Sequence, residues 1–154
     1  MPAIDSPTED TWLVYCDGTS LPNPGRIGIG AVLIAPDGVR HTLSQATGTH
    51  GCNNEAEARA LIAALLALRT LGATSLRIYS DSSILVEQLG AAEAAPITRL
   101  AHIFAEARSF MSYFKKIELH WVPRHRNAEA DALARAALGL ATKPANKRRL
   151  KKRR

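Results

Sequence analysis

The order of strand-like and helix-like segments is the feature that most constrains the fold of this 154-residue chain. Three strand-like segments come first, an apolar run at residues 12–15 and further segments at 27–35 and 39–47. The segments between them, 22–25 and 36–38, are rich in Pro, Gly, Asn and Asp, which is typical of turns because Pro fixes φ and Gly permits positive φ. We therefore predict an antiparallel meander of three strands at the start of the domain.

Helices alternate with single strands in the rest of the chain. Apolar residues at helical spacing predict a helix from about Glu55 to Leu71, after a loop at 48–54. The further predicted elements are strands at 76–80 and 117–122 and helices at 81–90, 97–113 and 128–140. Strands that alternate with helices pair in parallel through crossovers. The prediction is an α/β domain with a mixed five-stranded sheet and helices on both faces.

Charge separates the domain from its C-terminal end. Residues 1–142 contain all 14 acids and 12 of the basic residues, whereas Lys143 to Arg154 holds the other eight basic residues and no acid. A run of like charges repels itself, so we expect 142–154 to be a disordered basic tail that contacts phosphates. A solubilising end, a nuclear-import signal or a ribosome-directed patch are alternatives. The predicted organisation is a polar leader at 1–10, one domain at 11–141, and this tail.

Several protein classes are excluded by composition. No apolar stretch approaches roughly 18 residues, the length of a membrane-spanning helix, and the leader has no apolar core of a secretory signal. Cys16 and Cys52 are too few for a disulfide framework and have no partners at zinc spacing. We expect a cytoplasmic monomer with two reduced thiols and no membrane contact.

Two aspartates follow strands that should be neighbours in the sheet. Asp17 comes after the first apolar run and Asp81 after the fourth strand. Ligand sites of α/β sheets form outside the carboxyl ends of strands, and adjacent strands lie about 5 Å apart. Each residue also has a local alternative, because Asp17 could begin a turn before Gly18 and Asp81 could cap the next helix.

Glu57 is selected by the helical period. The apolar residues that follow it at i+4, i+7 and i+11 are Leu61, Ala64 and Leu68. Glu57 should therefore face the core, where a carboxylate is unfavourable unless a cation or hydrogen bonds compensate it. Glu55 shares its face with Arg59 instead and predicts an exposed ion pair.

Asp131 lies in the first turn of the last helix, next to the packing face of that helix. The helix dipole alone would favour an acid there, but the side chain could also point at the sheet edge. Four converging carboxylates would repel one another unless cations neutralised them. Because all the ligand atoms would be oxygens, the candidate ions are Mg²⁺ or Mn²⁺, and pairs of such ions activate water in many nucleases.

The chain resembles type 1 ribonuclease H in a series of motifs over roughly residues 11–140. The matching motifs are Tyr15-Cys16-Asp17-Gly18, Asn23-Pro24-Gly25, Asn53-Asn54-Glu55-Ala56-Glu57, Tyr79-Ser80-Asp81-Ser82, His120-Trp121-Val122 with His125, and Ala130-Asp131-Ala132-Leu133-Ala134. The resemblance implies a ribonuclease H-like fold and hydrolysis of the RNA strand of an RNA–DNA hybrid, giving 5′-phosphate and 3′-hydroxyl ends.

The resemblance also implies roles for individual residues. Two Mg²⁺ ions, or Mn²⁺, would be held by Asp17, Glu57, Asp81 and Asp131. His125 would assist proton transfer or product release, unless it is an ordinary surface histidine. Substrate contacts are implied for Gly18, Asn23, Asn53, Asn54 and Ser82. The asparagine amides there can donate to and accept from the 2′-OH, although turn and cap roles are open for them.

The chain departs from the family pattern in three places. Cys52 and Glu55 stand near the expected position of a DNA-strand phosphate. The segment 90–113 lacks the basic, Trp-containing protrusion of many relatives, and only five residues separate His125 from Asp131. Two rival functions are a non-catalytic hybrid-binding or RNA-binding module, which would be expected to lose the carboxylates, and another nuclease of the same fold, such as an exonuclease or a junction resolvase.

Overall fold

Five strands form one mixed sheet in the computed structural model, which describes residues 9–90 and 97–140. The strands are β1 (Thr11–Leu21), β2 (Gly25–Ile34), β3 (Arg40–Gly51), β4 (Ser75–Ser80) and β5 (Lys116–Trp121). Their spatial order is β3-β2-β1-β4-β5. β2 pairs antiparallel with β1 and β3, whereas β4 pairs parallel with β1 and β5. The predicted meander followed by parallel strands is confirmed.

Helices cover both faces of this sheet. They are α1 (Asn53–Thr70), α2 (Ser83–Gly90), α3 (Ala101–Met111) and α4 (Ala128–Ala137). Successive strand residues point to opposite faces. In β2, Gly30 faces α4, whereas the adjacent Ile29 and Ala31 belong to the core that α1 and α3 close. Among the helices in the described ranges, none combines the length and the apolar content that crossing a bilayer requires.

The predicted core-facing stripe of α1 is confirmed. Leu61, Ala64 and Leu68 are all fully buried between α1 and the sheet. Glu57 lies one turn before this stripe, so the helix carries its carboxylate toward the sheet rather than toward solvent.

Two glycines allow helices to approach the sheet closely. A Cβ atom on Gly18 of β1 would lie 2.0 Å from the carbonyl oxygen of Ala56 in α1. A Cβ atom on Gly30 of β2 would lie 2.2 Å from the carbonyl oxygen of Ala130 in α4. Side chains at either position would push the helix outward. The glycines therefore hold the first turns of α1 and α4 close to the middle of β1.

Some predicted boundaries are wrong. The predicted loop at 48–54 is largely the end of β3, because pairing with β2 continues as far as Gly25 opposite Gly51. The last helix ends at Ala137 rather than near 140, since Gly139 adopts a φ of 76° and closes the helix end. The helix predicted at 97–113 is a short 3₁₀ turn followed by α3. Predictions for the leader before residue 9, for 91–96 and for the tail after 140 lie outside the described residues.

Candidate active site

Four predicted acids meet at one cavity. The ligand oxygens of Asp17, Glu57 and Asp81 all lie within 4.8 Å of one another. Asp131 lines the same cavity, whose volume is about 180 Å³. Four different parts of the fold supply these side chains: β1, the second turn of α1, the residue after β4, and α4. The residues that sequence patterns placed on separate elements are thus brought together.

The position of Asp17 differs from the prediction in one respect. β1 does not end at Asp17 but continues to Leu21, and Asp17 pairs with Gly30 of β2. On the other side of β1, however, parallel pairing with β4 stops at Tyr15 opposite Tyr79. β4 ends one residue later, at Ser80, so the β4 side of β1 is open at Asp17. The acidic cavity occupies this opening.

Asp81 does not cap the helix that follows it. The hydroxyl of Ser82 accepts a hydrogen bond from the backbone N–H of Leu85 at 3.1 Å and so caps α2. The capping alternative for Asp81 is therefore wrong, and its carboxylate is one of those that line the cavity. Ser82, predicted to contact substrate, has a structural role in addition to any such contact.

Burial makes the ionised cluster unfavourable without cations. Burial raises the pKa of Asp17 to about 8; a hydrogen bond with Glu57 opposes the rise, and the charges of Asp81 and Asp131 add to it. Burial and the charge of Asp17 raise the pKa of Glu57 well above its usual range. In the described part of the chain, Glu57 Oε2 is buried and has no hydrogen-bond partner. Carboxylate oxygens that repel one another, one of them buried without a donor in the described chain, fit hard divalent cations.

Two arginines line the acidic cavity and were missed from the sequence. Arg124 lies in the 3₁₀ turn Arg124–Arg126 after β5, and Arg135 lies one helical turn after Asp131 on α4. The i, i+4 spacing of Asp131 and Arg135 was the available signal. Guanidinium groups at this position can offset carboxylate repulsion and can contact a phosphate.

His125 does not line the cavity. It is exposed on the same 3₁₀ turn, between Arg124 and Arg126, and the turn leads directly into α4. The short connection to Asp131 thus places an arginine, rather than this histidine, at the cavity wall. The role of His125 in proton transfer or product release stays a prediction.

Asn23 and Asn53 belong to a network with Ser20, a buried residue that sequence reasoning did not identify. Asn53 Oδ1 accepts hydrogen bonds from the backbone N and the hydroxyl of Ser20, both at 3.0 Å. Asn23 Oδ1 accepts from the backbone N of Asn53 at 3.0 Å and from the Ser20 hydroxyl at 3.3 Å. These donors fix the orientation of both amides. Because the side-chain oxygens are engaged, the two exposed residues offer their NH₂ groups to a ligand.

The remaining predicted contacts lie beside this network. Gly18 lines the acidic cavity, and Asn54 is half-buried in the first turn of α1. Arg99 donates a hydrogen bond to Cys52 Sγ at 3.4 Å, at the residue that precedes α1. The segment that departs from the family pattern therefore brings one cation to the helix N-terminus.

Comparison with known proteins gives this architecture a family. The family model described as reverse transcriptase-like matches residues 15–137. The bifunctional protein Rv2228c of Mycobacterium tuberculosis is 38% identical over 135 residues, which cover 86% of this chain and 37% of that protein. The chain thus matches little more than a third of this relative's length.

Solved structures share the fold at similar identity. Ribonuclease H1 of the archaeon Halobacterium salinarum has a TM-score of 0.78 and 35% identity, over 84% of this chain and 98% of that one. LC11-RNase H1 in complex with an RNA/DNA hybrid has a TM-score of 0.73 and 31% identity, over 83% and 96% of the two chains. The mixed five-stranded sheet is thus a ribonuclease H fold, and the chain belongs to the type 1 ribonuclease H family, a family of nucleases.

Proposed function

We propose that this protein is a Mg²⁺-dependent endoribonuclease that hydrolyses the RNA strand of RNA–DNA hybrids. The observation that carries the proposal is the acidic cluster, in which one carboxylate oxygen each of Asp17, Glu57 and Asp81 lie within 4.8 Å of one another. A structural neighbour, LC11-RNase H1, forms a complex with an RNA/DNA hybrid. That the protein acts as a monomer in the cytoplasm is proposed from the sequence alone.

Asp17, Glu57, Asp81 and Asp131 would hold two Mg²⁺ ions, with Mn²⁺ as the alternative. When bound, such ions activate water for attack at phosphorus and stabilise the charge of the leaving oxygen. The support for this assignment is the donor set itself, four carboxylates with one buried oxygen that has no partner in the described chain. The products would carry 5′-phosphate and 3′-hydroxyl ends, as the family resemblance implies.

Substrate recognition is proposed for the amide groups beside the cavity. The NH₂ groups of Asn23 and Asn53 suit acceptors in the minor groove of a hybrid, where the 2′-OH and base edges are displayed. Asn54 and Gly18 are proposed to contact the same hybrid, and Arg99, whose guanidinium contacts Cys52 directly before α1, suits a phosphate of the DNA strand. Arg124 and Arg135 on the cavity wall would contact phosphates near the scissile bond.

The basic tail is proposed to supply affinity without sequence preference. It lies outside the described residues, and the support is its charge: eight Lys and Arg between Lys143 and Arg154 and no acid. Each phosphate contact releases counterions, so such contacts make affinity depend steeply on salt. Deleting 143–154 should raise KM for hybrids and flatten the salt dependence of binding. An unchanged KM at physiological salt contradicts this part of the proposal.

The test of the proposed function is a substrate panel. A labelled RNA–DNA hybrid, duplex RNA and duplex DNA are incubated with and without Mg²⁺, using the wild type, Asp17→Asn and Glu57→Gln. We expect cleavage of the hybrid only, in the RNA strand, by the wild type with Mg²⁺. Either substitution should lower the rate by about 10³-fold or more, because a lost ligand removes several kcal/mol of transition-state stabilisation.

Other outcomes of this panel favour the rival functions. Tight hybrid binding without cleavage by any of the three proteins would favour a binding module. Preferential cleavage of duplex DNA would favour a different nuclease of the same fold. Equal activity of the wild type and the two variants would contradict the metal mechanism, whatever the substrate.

A further inference from the structure

Asn127 is a buried amide that contacts several of the segments carrying the acidic cluster. It lies between the 3₁₀ turn and α4 and is 1% exposed. Its Nδ2 donates to the carbonyl oxygen of Cys16, the residue before Asp17, at 2.9 Å, and lies 3.5 Å from Asp81 Oδ2. The backbone carbonyl oxygen of Asn127 accepts a hydrogen bond from the backbone N–H of Asp131 at 3.0 Å. A single residue thus joins β1, the carboxylate of Asp81 and the first turn of α4.

The orientation of this amide follows from its acceptors. A carbonyl oxygen can only accept, so the NH₂ group of Asn127 must face Cys16, and the same group then faces Asp81. The other end of the amide, Oδ1, is buried without a hydrogen-bond partner in the described part of the chain. A buried acceptor without a donor is destabilising. Packing alone therefore does not explain an asparagine here, since an apolar side chain of similar shape would avoid that penalty.

We propose that Asn127 is a positioning residue for metal binding by the acidic cluster, a role that rests on the proposed metal-dependent function. By donating to Cys16 O and toward Asp81 Oδ2, the amide holds β1 and the Asp81 carboxylate in a fixed relative orientation. Through its backbone it also fixes the turn of α4 that carries Asp131. Hydrogen bonds to ligating carboxylates orient them, and their loss typically weakens metal affinity or activity by about 10–100-fold.

Two substitutions separate the amide from the space it fills. Asn127→Leu keeps a four-atom branched side chain but removes the donor, whereas Asn127→Ala removes both donor and volume. If the amide orients the ligands, both variants should bind Mg²⁺ and Mn²⁺ about 10–100-fold more weakly by calorimetry on the free protein. The Mg²⁺ concentration for half-maximal cleavage should rise in parallel, with KM for the hybrid changed less than about threefold. Both variants should lower Tm in EDTA because the carbonyl oxygen of Cys16 loses this donor in each, and Asn127→Ala should lower Tm further because it also removes volume.

A matched control reports what destabilisation alone does. Ile103→Val removes one methylene from the core on α3, away from the cavity, and should lower Tm without changing metal affinity. The proposal is overturned if Asn127→Leu binds both metals like the wild type. It is also overturned if the loss of metal affinity in the Asn127 variants is no larger than Ile103→Val shows for the same loss of Tm.

Failure of this inference is distinguishable from failure of the proposed function. A wild type that binds Mg²⁺ in an Asn127-dependent way but leaves hybrids intact retains the positioning role and contradicts the substrate assignment. If the wild type cleaves hybrids but the variants bind metal normally, the proposed function is retained and the positioning role of Asn127 is contradicted. A wild type that binds neither metal overturns both.

Discussion

Charged groups are buried at two places on the same sheet, and the two places differ in how the charges are compensated. In one, Arg77 of β4 is 5% exposed and its Nε donates to Glu118 Oε2 of β5 at 2.8 Å. The two residues are register partners in the parallel pair β4–β5. This hydrogen bond lowers the pKa of Glu118, so the pair is stable in its ionised form.

In the other place, four carboxylates share a cavity with the guanidinium groups of Arg124 and Arg135 on its wall. The hydrogen bond from Arg77 lowers the pKa of Glu118. At the cavity, by contrast, burial raises the pKa of Asp17 to about 8 and that of Glu57 well above its usual range. The comparison teaches that the buried guanidinium of Arg77, which serves the fold, has its counter-charge on the next strand, on the partly exposed Glu118. A carboxylate cluster whose pKa values are raised even with two arginines on the cavity wall is suited to further positive charge supplied by a ligand.

The largest expected effect that tests this difference comes from Glu57→Gln. Hybrid cleavage should fall by about 10³-fold or more, because one metal ligand is lost. The stability of the metal-free protein should not fall. Tm in EDTA should be unchanged or higher, because a neutral amide removes the repulsion between Glu57 and the neighbouring buried carboxylates. Cleavage rates and thermal unfolding of the same preparations check both parts. A marked loss of Tm without Mg²⁺ would mean that Glu57 is a structural residue.

Glu57 is also the site residue that sequence reasoning identified most directly. Helical spacing alone placed it one turn before Leu61, on the buried stripe, and that stripe is confirmed. The same period separated it from Glu55, whose ion pair with Arg59 is present at 3.1 Å. Period-based inference works here because both statements concern one helix, where geometry is set by the backbone alone.

Features that depend on contacts between distant segments were not predictable in this way. The pairing of Arg77 with Glu118 requires the register of two parallel strands, which no local pattern encodes. The amide of Asn127 reaches Cys16 across 111 positions of sequence. Asp17 was misplaced at a strand end because β1 has different lengths of pairing on its two sides. The order of strands and helices along the chain predicted the fold. Which residues line the cavity could be read only from the packed structure.

The next expected effect is a pH dependence of stability without metal. The raised pKa values mean that folded Asp17 and Glu57 keep protons that the unfolded chain has released above about pH 4. Stability in EDTA should therefore be highest at low pH within this window and fall as pH rises toward 8. The slope is up to about 1.4 kcal/mol per pH unit for each additional proton held by the folded state.

Denaturant unfolding in EDTA at pH 5, 6, 7 and 8 measures this slope, and Asp17→Asn should flatten it. Mg²⁺ should reverse the trend, because metal binds the deprotonated carboxylates and stabilises the folded state more at higher pH. Stability in EDTA that rises between pH 5 and 8 would contradict the assignment of raised pKa values to the cluster.

A smaller effect is expected at the compensated pair. Glu118→Gln leaves Arg77 with a neutral partner in a largely buried position, and the free energy of unfolding should fall by about 1–3 kcal/mol at pH 7. Cleavage by the variant should stay within about twofold of the wild type, since the pair lies outside the acidic cavity. Urea unfolding and initial rates measure the two quantities. A stability change below about 0.5 kcal/mol would remove the contrast between the two buried sites.

The smallest effect should come from Glu55→Gln, which matches Glu57→Gln in helix and chemistry but not in environment. Glu55 and Arg59 form a partly exposed i, i+4 pair, with side-chain exposures of 27% and 34%. Pairs of this kind contribute about 0.3–0.5 kcal/mol, so the loss in stability should not exceed that range and should shrink in high salt. Calorimetric affinity for Mg²⁺ should equal that of the wild type, because Glu55 does not line the cavity. If Glu55→Gln weakened Mg²⁺ binding as much as Glu57→Gln, the helical face of the carboxylate would not be what selects Glu57 as a ligand.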